Sequence, residues 1–547
     1  MRGRRLRQLV GLSLLPVALV VGCGERTQPR AGGTLVFALL NDPRTLDPAT
    51  TNQIISMQVA YQVFETLVKL EPGGTRITPG LARSWSSDTD GRVWTFDLEE
   101  GVTFHDGTAF DAAAVCANFE RWYGFTGIMQ SPVISVIWQT VFGGFRTRDL
   151  PSAPPTSLYE SCAAPEPDQA VITLTRPSGA FLSALASPPF SMASPDALRR
   201  YEADKVTGTA DAPRFEGTFG TQHPVGTGAF QLEQWTPKDR LVLVRNKEYW
   251  GEKAKLDRVV FRYVPEGPAR RQALETGELD GYDPVDPPDI EPLRGAGFQV
   301  LERPAFNVGS LGMNLTMPPL DRLEVRQAIA HALKREALVR AKYPPGAVVA
   351  KELMPPVLWG YADDVPEYPY EPDRARQLLA RAGVPTPSVE LWYPTGVTDP
   401  IWVDPQGLAG AFQADLEAVG FRVTLRPAPG RPDYSAAVSS GAAQLFLGTA
   451  YGDRSDPDAF LGRYQRTSPQ LRGLDDPELF RLLDEAEAEP DQARRQPLYE
   501  QANRRLMELV PAVPYVHVPV YVALAPVVRG HPHAPVPWDP FALISIE

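Results

Sequence analysis

The side chains best placed to do chemistry cluster in one short run of this 547-residue chain, "LGTAYGDRSDPDAFL" at 447–461. Asp456-Pro457 reads as a helix start, with an aspartate cap, a proline in the first turn and acidic residues where the helix dipole favours them. That accounts for Asp456 and Asp458, but less well for Asp453, which stands three residues before the cap. A carboxylate withdrawn from water there could hold a cation, because a charge-assisted hydrogen bond contributes about 1.5–3 kcal/mol.

Elsewhere the signals for chemistry are weak. "GTGAF" (226–230) begins like a dinucleotide fingerprint, but Gln231 stands where the third glycine belongs, so it reads as a structural turn. The histidines are scattered at 105, 223, 331, 517, 531 and 533. His531-Pro-His533 lacks a third ligand nearby and reads as a solvated surface pair. The acidic run at 474–491 reads as a solvated helix face. No G-x-S-x-G, H-E-x-x-H or G-x-x-x-x-G-K-[ST] occurs, which argues against a hydrolase nucleophile, a zinc protease or an ATPase. The expectation is no catalytic residue, no metal and no cofactor.

The first 22 residues set the location. Arg2, Arg4, Arg5 and Arg7 form a cationic start, followed by 14 nearly all apolar residues, Leu9 to Gly22. A spanning helix needs about 20 apolar residues, so this is a secretory signal segment. Val20-Val21-Gly22-Cys23 resembles the lipobox of bacterial lipoproteins, which implies that Cys23 is lipidated and tethers the mature chain outside the cytoplasmic membrane. The alternative is an ordinary signal peptide with an incidental cysteine. Loss of the four arginines takes the formal charge from −12 to −16 (−12 − 4), which argues against nucleic-acid partners. Cys116 and Cys162 would then occupy an oxidising compartment, where a disulfide is the expectation and two buried thiols the alternative.

The elements are those of an α/β protein. Residues 25–33 are a polar tether, after which "GTLVFALL" (33–40) reads as a buried strand. Residues 90–107 read as a hairpin-like pair of strands, and 109–123 as an amphipathic helix capped by Asp111. Residues 146–169 read as a surface insertion pinned at Cys162, and 170–177 as a strand. Strands at 239–250 and 256–264, and a helix at 268–280, follow. The run 323–341 reads as one strong helix, and 371–383 as another. A strand at 389–394, a helix at 406–419 and a strand at 421–427 form an α/β block, and 506–524 reads as a helix end feeding one extended strand.

Five blocks of this chain resemble the family-five extracellular solute-binding proteins, the peptide, opine and nickel receptors of ABC importers. They are 32–48, 78–115, 223–264, 311–339 and 456–461. The resemblance implies a two-lobed, periplasmic-binding-protein-like clamp (type II, the large cluster C). Its lobe one would comprise 33–305 with 505–547, and its lobe two 306–504, with the hinge near 305 and 505. Ligand would be held between the lobes, peptides largely through their backbones as an added strand. By the same resemblance Asp453 would capture a ligand ammonium, Tyr451 would pack on the ligand, and Asn52 and Gln53 would touch its backbone. No cationic partner for a ligand carboxylate can be assigned.

The expected function is that of a lipid-anchored monomer that captures an oligopeptide or dipeptide and delivers it to an ABC permease. A metal chelate, an opine or an oligosaccharide would fit the same role, and an exported lipid-anchored hydrolase is the competing class.

Overall fold

The computed structural model describes residues 32–397, 399–465 and 472–547. The signal segment, most of the tether and Cys23 lie outside the described residues.

Two mixed sheets dominate. The first has seven strands, in the order Phe230–Thr236, Arg240–Arg245, Arg258–Tyr263, Thr34–Leu39, Gly281–Tyr282, Val520–Leu524 and Gln299–Arg303. The second has five: Arg422–Pro429, Ser388–Thr395, Leu445–Tyr451, Asn307–Met313 and Ala512–Val516. Each is half-wrapped by helices, as a largely buried sheet with parallel strands requires. Thr34–Leu39 lies between two parallel neighbours with Leu35, Phe37, Ala38 and Leu39 buried, as its apolar run predicts.

A four-stranded antiparallel sheet stands beside the first, in the order Ala82–Ser87, Val93–Leu98, Gln169–Leu174 and Tyr159–Glu166. It corrects two expectations. Val93–Leu98 does not pair with the residues after it; Trp94, Phe96 and Leu98 face inward, which places the strand in the middle of the sheet. The expected surface insertion ends in the edge strand Tyr159–Glu166, which carries Cys162. Helix Ala112–Tyr123 packs on this sheet, capped by Asp111, whose Oδ1 accepts from Ala114 N at 2.8 Å. Cys116 on that helix and Cys162 are disulfide-bonded.

The chain passes between the two large sheets twice, from Arg303 to Asn307 and from Val516 to Val520. The second passage corrects the expected boundary at 505. Helix Gln492–Leu509 and strand Ala512–Val516 both pack with the second sheet's core. The apolar run at 506–524 is therefore two strands in two sheets, parted at His517–Pro519. Continuous hydrophobicity cannot show that break, because both halves are buried alike.

Two smaller corrections complete the comparison. The strong helix at 323–341 is broken into Leu323–Ala332 and Arg335–Lys342, where the buried Arg335 guanidinium donates to the carbonyls of Ala350, Pro514 and Tyr368. His531 is buried, not solvated; it lies beside Asp539, and burial lowers its pKa to about 4.

Candidate functional site

The two crossings fix where a ligand could sit. Thr34–Leu39, Arg258–Tyr263 and Gly281–Tyr282 run parallel, and so do Ser388–Thr395, Arg422–Pro429 and Leu445–Tyr451. The crossings join the carboxyl ends of both sets, since Arg303 pairs with Val520 and Asn307 with Tyr451. Open α/β sheets bind ligands beyond the carboxyl ends of their strands, so the cleft at the crossings is the candidate site. Asn307 laces the two crossings together. Its Nδ2 donates to Val518 O at 2.7 Å, its Oδ1 accepts from Val518 N at 3.0 Å, and its own carbonyl meets His517 Nδ1 at 2.6 Å.

The first-lobe wall is the loop from Leu39 to helix Ile54–Val63. Asp47 is buried against Arg121 at 2.5 Å, and the Arg44 guanidinium donates to the carbonyls of Thr50 and Val133. Asn52, Gln53 and Ile54 are left at the surface. Asn52 makes no hydrogen bond among the described residues. Gln53 is partly committed, its Oε1 accepting from Arg44 N at 3.1 Å and Ser56 Oγ at 3.2 Å.

The second-lobe wall is charged. Leu445–Tyr451 pairs along its whole length with Asn307–Met313, but its ladder with Ser388–Thr395 covers only Leu445 and Phe446. From Thr449 to Tyr451 that edge has no strand beside it. Tyr451 is 42% exposed, yet its hydroxyl donates to Asp399 Oδ1 at 2.6 Å. Burial, and then the Asp399 charge, push its pKa far above the usual tyrosine range. Asp399 is buried, and its Oδ2 receives Arg431 at 2.7 Å.

Asp453 follows directly. Its carboxylate is 44% exposed and chelated by Arg454 Nη1 at 2.9 and 3.1 Å. Arg454 is buried and also holds Asp458 at 2.5 Å; burial opposes its charge, but Asp453 and Asp458 keep its pKa raised. The bare, desolvated carboxylate expected at Asp453 is therefore an ion-paired, half-exposed one. Asp456 does accept from Asp458 N at 3.0 Å, near the helix start, but its main partner is Arg495. The two are 1% and 2% exposed and paired through both carboxylate oxygens, at 2.6 and 2.9 Å. The cluster holds three carboxylates (453, 456, 458) against two guanidiniums (454, 495), a net charge of −1.

This cluster is also a third joint between the lobes. Arg495 donates to Gly179 O at 2.9 Å, Ser183 Oγ to Asp456 Oδ2 at 3.3 Å, and Ser187 Oγ to Asp453 O at 3.1 Å. Gly179 is required there, because a Cβ would lie 2.2 Å from Glu489 O. The glycines of "GTGAF" serve packing as expected: a Cβ on Gly226 or Gly228 would lie 2.3 or 2.7 Å from backbone carbonyls of the Gln62–Val63 turn.

Asp453 and Tyr451 thus share one wall, and Asn52 and Gln53 share the other. Reasoning from sequence missed Asp399, Arg431, Arg454 and Arg495. Arg454 alone stood in view, next to Asp453. No group of three or more potential metal-binding side chains occurs among the described residues, and none of their helices is long and apolar enough to cross a membrane.

Comparison with known proteins agrees with this architecture. The family model for bacterial extracellular solute-binding proteins, family 5 (middle), matches residues 76–471. The chain is 29% identical over 560 residues to the dipeptide-binding protein of Escherichia coli K12, covering 98% of each. It is 28% identical to heme-binding protein A of Haemophilus influenzae, covering 94% of this chain and 93% of that one. HbpA2 from Haemophilus parasuis superposes with a TM-score of 0.83 at 27% identity, over 94% of this chain and 100% of that one. The chain belongs to the family 5 bacterial extracellular solute-binding proteins.

Proposed function

We propose that this protein captures short peptides with a free amino terminus outside the cytoplasmic membrane and delivers them to an ABC permease. The observation that carries this reading is the open edge of strand Leu445–Tyr451, which runs straight into a carboxylate cluster of net charge −1. An extended peptide can add to that edge through its main chain, which gives affinity without reading sequence. Its ammonium then meets Asp453 and shares that carboxylate with Arg454. Asn52 and the amide of Gln53 close over the peptide from the first lobe. The dipeptide-binding relative, similar over nearly the whole chain, supports the ligand class.

On this reading lobe one comprises 33–303 with 520–547 and lobe two 307–516, with the crossings as hinge. Cys23 anchors the mature chain by lipid, and the protein binds and releases its ligand without catalysis. Isothermal titration with unblocked di- and tripeptides is expected to show saturable binding that weakens on N-acetylation. Saturable binding of hemin or a metal chelate, with no response to any peptide, overturns the assignment.

A further inference from the structure

A groove of about 380 Å³ opens beside the same strand edge, between helix Gly430–Ser440 and the second sheet. Tyr434 and Ser435 of the helix, Thr449 of the strand, and Trp402 line it. Two guanidiniums also line it, Arg431 and Arg463, and no carboxylate does among the described residues. Arg431 lies over the Trp402 ring at 4.9 Å, and its charge is matched by Asp399. Arg463 is different. It donates only to carbonyls, Phe460 O at 3.1 Å and Thr449 O at 3.4 Å, and no acidic group lies within ion-pair distance among the described residues. In a chain of net charge −12, this is a site with a cation left over. An unpaired, part-buried charge is costly, and a ligand of opposite charge relieves that cost.

The geometry points to a subsite for an acidic side chain of the bound peptide. This rests on the peptide reading above and adds a preference to it. Side chains of a strand added at the 449–451 edge point alternately above and below the sheet. One that points toward helix Gly430–Ser440 enters the groove, and its carboxylate comes within reach of Arg463. A C-terminal carboxylate stays in line with the strand, outside the groove.

The test is titration calorimetry with Glu-Ala-Ala, Ala-Glu-Ala and Ala-Ala-Glu, their glutamine counterparts, and C-terminally amidated forms of all six. At one position glutamate should bind at least 10-fold more tightly than glutamine, about 1.4 kcal/mol, and amidation should leave that ratio intact. Arg463→Met should abolish the ratio. Ser435→Glu, on an exposed helix position that makes no printed side-chain contact, should do so by placing a competing charge in the groove. Glutamate and glutamine binding equally at every position, in a protein that does bind these peptides, overturns the subsite and leaves the peptide reading standing. A preference that vanishes on amidation reassigns the cation to the ligand's C-terminus and also overturns it. Binding of none of the peptides removes both readings.

Discussion

The two walls of the cleft are built on opposite principles. On the first lobe the charges are turned inward: Asp47 is spent on Arg121, the Arg44 guanidinium on two carbonyls, and the surface offers Asn52, Gln53 and Ile54. On the second lobe the charges stand at the rim, in the clusters of Asp399 with Arg431 and of Asp453 with Arg454 and Asp458. The contrast assigns different tasks. A neutral wall can close over many ligands at little desolvation cost, whereas a charged wall discriminates by what it leaves unpaired.

The contrast can be broken most severely at the joint that carries the charged wall. Arg495→Met leaves Asp456 buried and unpaired, and should destabilise the protein by about 3–5 kcal/mol in urea unfolding. A loss below about 1 kcal/mol would mean that the buried pair does not brace the second wall.

The next effect concerns the second lobe's interior. Glu352 is fully buried; its Oε1 accepts from Ala362 N at 3.0 Å and its Oε2 has no partner. Burial raises its pKa from 4.5 to about 9. The folded protein therefore keeps a proton that the unfolded chain releases, and stability falls as pH rises through that window. From pH 6 to 8 the loss should be roughly 2–3 kcal/mol at about 1.4 kcal/mol per unit. Glu352→Gln should remove that slope; parallel urea midpoints for the two proteins across the range would sink this account.

At the rim itself, Asp453→Asn should weaken binding of a free-amine peptide roughly 10–100-fold, or about 1.4–2.8 kcal/mol, and leave N-acetylated peptides unaffected. Equal losses for both would show that Asp453 shapes the loop and does not meet the ammonium. The smallest effect belongs to the neutral wall. Asn52→Ala should cost no more than about 5-fold, one hydrogen bond's worth of roughly 1 kcal/mol, whatever the peptide. If its effect depends strongly on peptide charge, the division of labour between the walls is wrong.

What could be read from the sequence was local or a matter of pattern. The strand at 33–40 and the helix capped by Asp111 follow from residues within a few positions of one another, and the structure has both. The two-lobed class came with the five blocks of family resemblance. The electrostatics of the site were not legible, for a physical reason. Asp399 meets Tyr451 across 52 residues and Arg431 across 32, and Asp456 meets Arg495 across 39. No periodicity encodes those encounters. The neutralisation of Asp453 by its own neighbour was hidden differently, since adjacent side chains in an extended segment ordinarily point apart.

The returning tail has a consequence for how the molecule is made. Gly312 pairs with Ala512, 200 residues on (512 − 312), and Gly281 pairs with Leu524. Neither large sheet is complete until nearly the last strand of the chain is available, and strand pairings so far apart in sequence form slowly because the intervening loop must be closed first. A chain synthesised from its amino terminus therefore stays open through most of its length. That suits a polypeptide that must be threaded across a membrane before it folds, and it means that a product cut short before residue 511 would retain no finished lobe for a protease to spare.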